Sequence, residues 1–275
     1  MARGTRDVRL LVVLSDTHTG SSIAPFPQQC ISDGMLVGHG PIQEWLWSCW
    51  TDLTERWLPD ITGSEPYNVI HNGDAVEGHH HGTAQVFSPE VSHHANAACE
   101  MLRPIFAGAM KRWFIRGTGA HVGNTIESTL GKNLKCEADP STGMHAAHHW
   151  LLKFNGSLCS FRHHMSTTGR VNLEPSGLGI HLGNEQLGCA RAGHPVPQVV
   201  VRGHRHRYGL YSDGQAMFVA CPSMQLLTDY GEKVAPAAIP TIGAWVLDAR
   251  GKRPGELPDV RVKLFTLKAK EPSPC

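Results

Sequence analysis

The stretch VRLLVVLSDTHTG at residues 8–20 decides how this chain is expected to fold. Residues 8–14 are a continuous apolar run rich in β-branched side chains, which is typical of a buried strand in a parallel sheet. The run stops at Ser15, and Asp16 and His18 follow in a polar turn. Functional sites of open α/β sheets gather at the carboxyl ends of strands, so Asp16 and His18 are the first candidate site residues.

Four further segments repeat this arrangement of an apolar strand followed by polar, ligand-type side chains. The predicted strands are 67–71, 112–116, 158–162 and 198–202. The residues that follow them are Asp74, the run Gly117–His121, the pair His163-His164, and His204 with His206. One such strand end carries little information, but five are hard to obtain from core packing alone.

Helices are predicted between the first strands. Residues 41–57 show an amphipathic pattern that Pro59 and Gly63 are expected to end, and residues 89–110 form a second helical segment. This alternation of strand, loop and helix predicts a βαβ arrangement with a largely parallel sheet.

The second half of the sequence is richer in strands. Asn155-Gly156 predicts the turn of a β-hairpin, whereas residues 170–185 contain so many glycines that no element is predicted there. Later strands are predicted at 215–220, 242–248 and 259–266. Residues 1–268 are expected to form a single domain, followed by a loose C-terminal tail at 269–275.

The composition excludes several classes of protein. The formal net charge of the 275-residue chain is +1, so the chain as a whole has no strong positive field that would attract it to nucleic acid or to a membrane. No apolar run approaches the roughly 20 residues that span a bilayer. The eight cysteines form no CxxC pair and no secretory signal is found, so a cytoplasmic protein with reduced thiols is expected. The 18 histidines are the unusual feature.

Asp and His residues at strand ends suit the hydrolysis of phosphate esters. Two divalent ions about 4 Å apart neutralise the anionic ester, generate a hydroxide near neutral pH and stabilise the leaving oxygen. A carboxylate can bridge both ions, and neutral imidazoles fill the other positions without adding negative charge.

Four segments carry a resemblance to a known family. SDTHTG at 15–20, NGDAVEG at 72–78, HH at 163–164 and GHRH at 203–206 resemble motifs of the calcineurin-like metallophosphoesterase family. The family pattern is DxH, GD, GNH followed by an acid, a lone His and GHxH, and the order is the same here. The resemblance implies a four-layer α/β/β/α fold, with a central β-sandwich of mixed, largely parallel sheets flanked by helices. The compact chain is similar to bacterial and phage members.

The resemblance also implies a ligand set for two divalent ions. The ligands of the first ion are Asp16, His18, Asp74 and His206, and those of the second are Asp74, His163 and His204. Asp74 bridges the two ions. His163 is preferred to His164 because the ligand of the family comes first after its strand. Mn²⁺ is the expected metal, and Fe, Zn²⁺ and Ni²⁺ also suit these donors.

The third motif departs from the family pattern. The family sequence GNH supplies an Asn ligand and a His that assists the leaving oxygen, whereas this chain reads GTGAH at 117–121. His121 is expected to keep the catalytic role beside Asp74. Thr118 and Asn124 are the candidates for the position of the missing ligand.

Substrate contacts are predicted for three further residues. His80 and His81 follow the GD motif, and Arg205 lies within GHRH; a solvated loop explains the two histidines equally well. Arg202 and Arg207 flank the same turn, but the alternation of side chains along a strand directs some of these arginines away from the site.

The function expected from these residues is metal-dependent hydrolysis of a phosphodiester by a metal-bound hydroxide, as in a nuclease or a nucleotide diesterase. The substrate would then be a nucleotide or a nucleic acid. Two alternatives stay open: a phosphomonoesterase acting on a phosphoprotein or a small molecule, and a non-catalytic scaffold with the same fold. A zinc amide hydrolase is disfavoured because HExxH is absent.

Overall fold

The computed structural model describes residues 8–32, 34–80, 84–121, 123, 125–165 and 174–267. The predicted tail at 269–275 and two candidate site residues, His81 and Asn124, lie outside these ranges. None of the described helices is long and apolar enough to cross a membrane.

Twelve strands and six α-helices are described. The strands are β1 (Leu10–Leu14), β2 (Ile31–Ser32), β3 (Met35–Leu36), β4 (Tyr67–His71), β5 (Arg112–Phe114), β6 (Trp150–Phe154), β7 (Ser157–Phe161), β8 (Val199–Arg202), β9 (Gly209–Ser212), β10 (Met217–Ala220), β11 (Ile242–Asp248) and β12 (Asp259–Phe265). The helices are α1 (Pro41–Thr51), α2 (Leu58–Thr62), α3 (Val91–Gly108), α4 (Ile126–Asn133), α5 (Glu174–Arg191) and α6 (Asp229–Val234). A π-helical segment, Asp52–Trp57, joins α1 to α2.

The larger strands form two five-stranded mixed sheets. The first has the order β12-β11-β1-β4-β5, and the second has the order β6-β7-β8-β10-β9. In the first sheet β1, β4 and β5 are parallel, β11 is antiparallel to β1, and β12 is antiparallel to β11. In the second sheet β7, β8 and β10 are parallel, and the edge strands β6 and β9 are antiparallel. The parallel strands therefore direct their carboxyl ends to one edge of each sheet.

Three apolar clusters give the fold its layers. Leu11 and Val13 of β1 pack between the sheets against Val199 and Val201 of β8. Alternate residues of β1 face the other way and pack against helices, because successive side chains of a strand point to opposite faces. Leu178 of α5 covers the outer face of the second sheet. The four-layer α/β/β/α architecture expected from the sequence is the one observed.

The helix predicted at 41–57 is longer than expected. It continues through the π-helical segment and α2 to Thr62, so Pro59 lies inside the helical run instead of ending it. The wider turn of the π-helix precedes Pro59, and Gly63 with φ 57° ends the run.

The glycine-rich region without a prediction contains most of α5. At Gly179 an added Cβ would come within 3.1 Å of the Tyr211 ring, so this helix and β9 approach closely. Tertiary packing outweighs the low helix propensity of glycine here. The helices α4 and α6 and the strand β9 were also absent from the sequence predictions.

Candidate metal centre

The site lies where the carboxyl ends of both sheets meet. Asp16 follows β1 and Asp74 follows β4, and the backbone N–H of His18 donates to the Asp74 carbonyl at 3.0 Å. From the second sheet, the N–H of Gly203 donates to the His163 carbonyl at 2.9 Å. The N–H of His204 donates across to Asp16 Oδ1 at 3.0 Å, which joins the two sheets.

The backbone at the predicted ligands has an uncommon conformation. Seven described residues other than glycine have a positive φ, and five of these are predicted ligands. They are Asp16 (50°), His18 (44°), Asp74 (53°), His204 (72°) and His206 (56°). A positive φ is disfavoured for residues with a Cβ and persists where surrounding structure enforces it, often at functional sites. The left-handed turns direct these side chains toward one centre.

Two motif glycines are required by close approach. A Cβ at Gly117 would overlap Asp74 Oδ1, and one at Gly203 would lie 2.7 Å from Asp16 Oδ2 and 2.9 Å from His163 Nδ1. Only glycine allows the backbone to pass this close to the two carboxylates.

The first donor group consists of Asp16, His18 and His206. His206 Nε2 lies 3.0 Å from His18 Nε2 and 3.3 Å from Asp16 Oδ1, and His18 Nε2 lies 3.9 Å from the same oxygen. Asp16 and His18 are buried, while His206 is partly exposed. Three donor atoms within 4.8 Å of one another can hold one metal ion.

The ligands expected for the second ion are Asp74, His163 and His204, which we call the second donor group. The donor atoms of His204, His163 and His164 lie within 4.8 Å of one another, and His163 forms another such trio with Asp16 and Asp74. His163 Nε2 lies 2.9 Å from Asp74 Oδ2. The Thr118 hydroxyl donates to Asp74 Oδ2 at 3.0 Å and lies 3.3 Å from His204 Nδ1, so it occupies the space between two of the donors. His164 is exposed, and its ring centroid lies 4.9 Å from that of His204. His163, by contrast, is buried and faces both carboxylates.

One buried atom fits a bound metal particularly well. Among the described residues, His163 Nε2 has no hydrogen-bond partner of regular geometry although it is shielded from solvent. Its Nδ1 donates to the Asn72 carbonyl at 2.8 Å, which leaves Nε2 to face Asp74. His18 is held in the same way, with Nδ1 donating to Glu77 at 2.8 Å. Such outer hydrogen bonds fix the tautomer that a metal-binding histidine requires.

The electrostatics of the centre fit a cation. Burial opposes ionisation of Asp16 and Asp74, but the facing His163 and other histidines lower the pKa of both carboxyls below their usual range. Burial likewise opposes the cationic form of His163, yet the charges of Asp74 and Asp16 raise its pKa to about 10. The carboxylates therefore stay anionic and attract positive charge, which is a proton at His163 when no metal is bound.

His121 lies beside both donor groups. Its Nε2 is 3.6 Å from Asp74 Oδ2, and its Nδ1 donates to the Glu77 carbonyl at 2.9 Å. Burial lowers the pKa of His121 to about 4, so the ring is neutral near pH 7. The ring of His80 packs edge-on against it at 4.0 Å, and His80 Nε2 donates to Glu77.

Sequence reasoning missed Glu77, which supports the first donor group. This buried carboxylate accepts hydrogen bonds from His18, from His80 and from Gln225 Nε2, the last at 2.9 Å. Burial opposes its ionisation, but the bonds from the two histidines lower its pKa below the usual range. Its position in NGDAVEG, three residues after Asp74, was the available signal.

Glu127 was missed as well. It is buried and accepts from Ala75 N at 3.0 Å and Gly117 N at 2.6 Å, so it joins the turns after β4 and β5. Burial, with the nearby charge of Asp74, raises its pKa to about 7. No sequence pattern pointed to it, because it lies on α4, a helix that was not predicted.

Three arginines lie in or beside GHRH, and they point to different sides of the second sheet, as the alternation of side chains along a strand suggested. Arg205 and Arg207 line a cleft over the metal centre together with His80. Arg202 is buried and pairs with Glu185 at 2.9 Å on the outer side of the second sheet.

Comparison with known proteins finds solved structures of similar fold, all at low sequence identity. No protein family profile and no curated protein sequence matches the chain. Vps29 with Zn²⁺ from Entamoeba histolytica is 14% identical, with 93% of this chain and 98% of that chain covered at a TM-score of 0.40. An archaeal phosphodiesterase is 10% identical, with 93% and 99% covered and a TM-score of 0.45. A predicted phosphoesterase from Streptococcus pneumoniae is 11% identical, with 93% and 98% covered and a TM-score of 0.35.

Proposed function

We propose that the protein is a metal-dependent phosphodiesterase of the calcineurin-like metallophosphoesterase family. The observation that carries this proposal is the position of one carboxylate oxygen. Asp74 Oδ2 lies 2.9 Å from His163 Nε2 and 4.0 Å from His18 Nε2, so it borders both donor groups. This position supports the proposal that Asp74 bridges two metal ions.

The donor set suits two divalent ions. Asp16, His18 and His206 with Asp74 would hold the first, and Asp74, His163 and His204 with the Thr118 hydroxyl would hold the second. When bound, the ions supply a nucleophile at neutral pH and neutralise the charge on the phosphate. We propose Mn²⁺ as the native metal; Fe, Zn²⁺ and Ni²⁺ accept the same nitrogen and oxygen donors.

His121 is proposed to move the proton. Its Nδ1 is committed to the Glu77 carbonyl, so Nε2 is the atom that exchanges a proton with the reacting oxygens. With a pKa of about 4, Nε2 carries no proton near pH 7, so it would take one from the attacking water and pass it to the leaving oxygen. Glu77 fixes the ring through its backbone and fixes His18 through its side chain.

Thr118 favours a second candidate function. A hydroxyl is a poorer ligand than the Asn of the family pattern, and a weakened second ion would be consistent with a non-catalytic scaffold. The remaining donors nevertheless converge within short distances, which a scaffold does not require. We therefore propose an enzyme, of the type found in bacteria and phages, that acts in the cytoplasm on a nucleotide or nucleic acid.

The test compares a diester with a monoester that share one leaving group. Metal-stripped protein is reloaded with Mn²⁺ and assayed on bis-p-nitrophenyl phosphate and p-nitrophenyl phosphate. Mn²⁺-dependent cleavage with preference for the diester is expected. Preference for the monoester would make the protein a phosphomonoesterase, and stoichiometric metal without turnover of either ester would favour the scaffold.

A further inference from the structure

A cleft of about 330 Å³ opens directly over the metal centre, and its two sides differ in chemistry. One side carries the histidines of the centre together with Arg205 and Arg207. The other side belongs to the segment 225–240, which includes α6. Site volumes of this order fit small ligands and not a folded partner.

The segment 225–240 presents apolar side chains to the cleft. Leu226, Leu227, Tyr230, Val234 and Ala235 line this side. Tyr230 is 42% exposed and Val234 is 62% exposed. An apolar wall of this kind beside a strongly charged centre marks a binding surface, because exposed apolar side chains grouped in one place are uncommon without a ligand.

The placement of α6 is fixed by hydrogen bonds and not by a core. No residue of α6 is buried. Thr228 caps the helix by accepting from Gly231 N, and Asp229 N donates to the Gln85 side chain at 3.0 Å. On the far side the Thr241 N–H donates to the carbonyl of His206, a predicted ligand, at 2.8 Å. These hydrogen bonds fix the position of the apolar side of the cleft, which we call the wall, relative to the first donor group.

The two sides of the cleft together select a ligand class. A phosphodiester at the metal centre has one ester group that leaves and one that stays. The arginines attract the phosphate and the polar edges of its substituent, while the wall accepts a flat apolar face. A nucleobase has this combination of a π-face and polar edges, whereas an alkyl chain has no polar edge for the arginines to bind.

We infer that the cleft is a nucleoside site, in which the base of a nucleoside phosphodiester packs on Leu227 and Tyr230 while its phosphate lies at the metal centre. This inference rests on the proposed phosphodiesterase function and adds the side chains that would bind the nucleoside part of its substrate. The wall determines specificity and takes no part in proton transfer.

The test uses three diesters with the same leaving group. They are thymidine 5′-(p-nitrophenyl phosphate), methyl p-nitrophenyl phosphate and hexyl p-nitrophenyl phosphate. Because p-nitrophenolate leaves in each case, differences in kcat/KM report the group that stays. The Mn²⁺-loaded protein is expected to prefer the thymidine ester over the methyl ester by about tenfold, the order expected for stacking of one base.

Leu227→Ser is the variant that tests the wall. Leu187→Ser on α5 is its matched control, since Leu187 is exposed and does not line the cleft. The thymidine-to-methyl ratio should fall toward one in Leu227→Ser and stay at the wild-type value in Leu187→Ser. Circular dichroism checks that both variants fold. Binding of thymidine 5′-monophosphate and methyl phosphate, measured by calorimetry, gives the same comparison without turnover and should show the same tenfold preference.

The outcomes separate the two proposals. Cleavage of all three diesters at similar rates would overturn the nucleoside site and leave the phosphodiesterase standing. A hexyl ester cleaved as well as the thymidine ester would also overturn it, in favour of an alkyl-binding wall. If the protein prefers the nucleotide in binding but cleaves none of the diesters, the nucleoside site is supported and the proposed phosphodiesterase function is overturned. If the protein shows no binding preference and no cleavage, both proposals are overturned.

Discussion

The two donor groups of the centre are built from the same residue types but are supported differently. In the first, Glu77 is buried and fixes His18, and His206 lies 3.0 Å from that ring. In the second, the Thr118 hydroxyl stands beside His204, which is partly exposed, and the exposed His164 lies next to it. A carboxylate supports a histidine of the first group, whereas the second group contains the Thr118 hydroxyl in place of an amide ligand. Both differences favour the first group as the stronger metal site. We expect the first ion to bind more tightly than the second.

Asp74→Asn should have the largest effect because Asp74 belongs to both groups. Loss of the bridging charge is expected to reduce kcat on bis-p-nitrophenyl phosphate by about 1000-fold at saturating Mn²⁺. Asp60→Asn, at an exposed position on α2, serves as control and should be as active as the wild type. Retention of more than a tenth of the activity in Asp74→Asn would remove Asp74 from the bridging role.

His206→Gln and His204→Gln compare the two groups directly. His206 belongs to the well-supported group, so its loss should weaken binding of the first ion about 100-fold, whereas the His204 change should weaken the second about tenfold because His164 lies beside it. Metal content after desalting and Mn²⁺ titrations of activity measure both effects. His194→Gln, at an exposed histidine on the loop after α5, is the control. Equal effects at 204 and 206 would contradict the proposed asymmetry.

Thr118→Asn should reduce the asymmetry by introducing the amide ligand of the calcineurin-like sequence pattern. The second ion is expected to bind roughly tenfold more tightly, and activity at limiting Mn²⁺ should rise in proportion. Thr118→Val keeps the shape but removes the hydroxyl, so it should weaken the second ion instead. If the two substitutions act alike, the hydroxyl of Thr118 does not lie in the ligand position.

The smallest predicted effect concerns the metal-free protein and pH. The pKa of His163 rises from 6.5 to about 10 on folding, because Asp74 and Asp16 face it. Its stabilising contribution is fully present below about pH 6.5 and is lost as the pH rises toward 10. The Tm of metal-stripped protein should therefore fall by roughly 5 °C between pH 6.5 and 9.5. A Tm that rises over this range would show that His163 is neutral without metal. The fall in Tm should be smaller in His163→Gln than in the wild type.

The sequence predicted the arrangement of the fold because local signals were strong where they mattered. The buried run of β1, the strand β4 and the Asn155-Gly156 hairpin lie where they were expected. The helix α5 could not be predicted, since its glycines favour a loop unless the packing of Gly179 against Tyr211 is known. Pro59 was taken as the end of a helix because a preceding π-helical turn leaves no mark in the sequence pattern.

The sequence predicted several of the residues that lie close together at the candidate site, but it did not predict the residues that support them through hydrogen bonds. Asp16, His18 and His206 follow strand ends in short motifs, so both periodicity and order along the chain located them. Glu77 and Glu127 act through hydrogen bonds to residues distant in space or to backbone N–H groups, and such contacts become visible only in three dimensions. The substituted third motif was recognised as a departure, but the position of Thr118 between Asp74 and His204 required coordinates.

The left-handed turns have a consequence for protein engineering. Five predicted ligands owe their direction to a positive φ, so copying their side chains onto helices or regular strands of a new scaffold would aim them elsewhere. The transplantable unit is the whole turn, including the glycine before Asp74 and the one before His204. Library design around this centre should admit Asp, Asn, His and Gly at these positions and leave out Val, Ile and Thr, whose branched Cβ resists that backbone conformation.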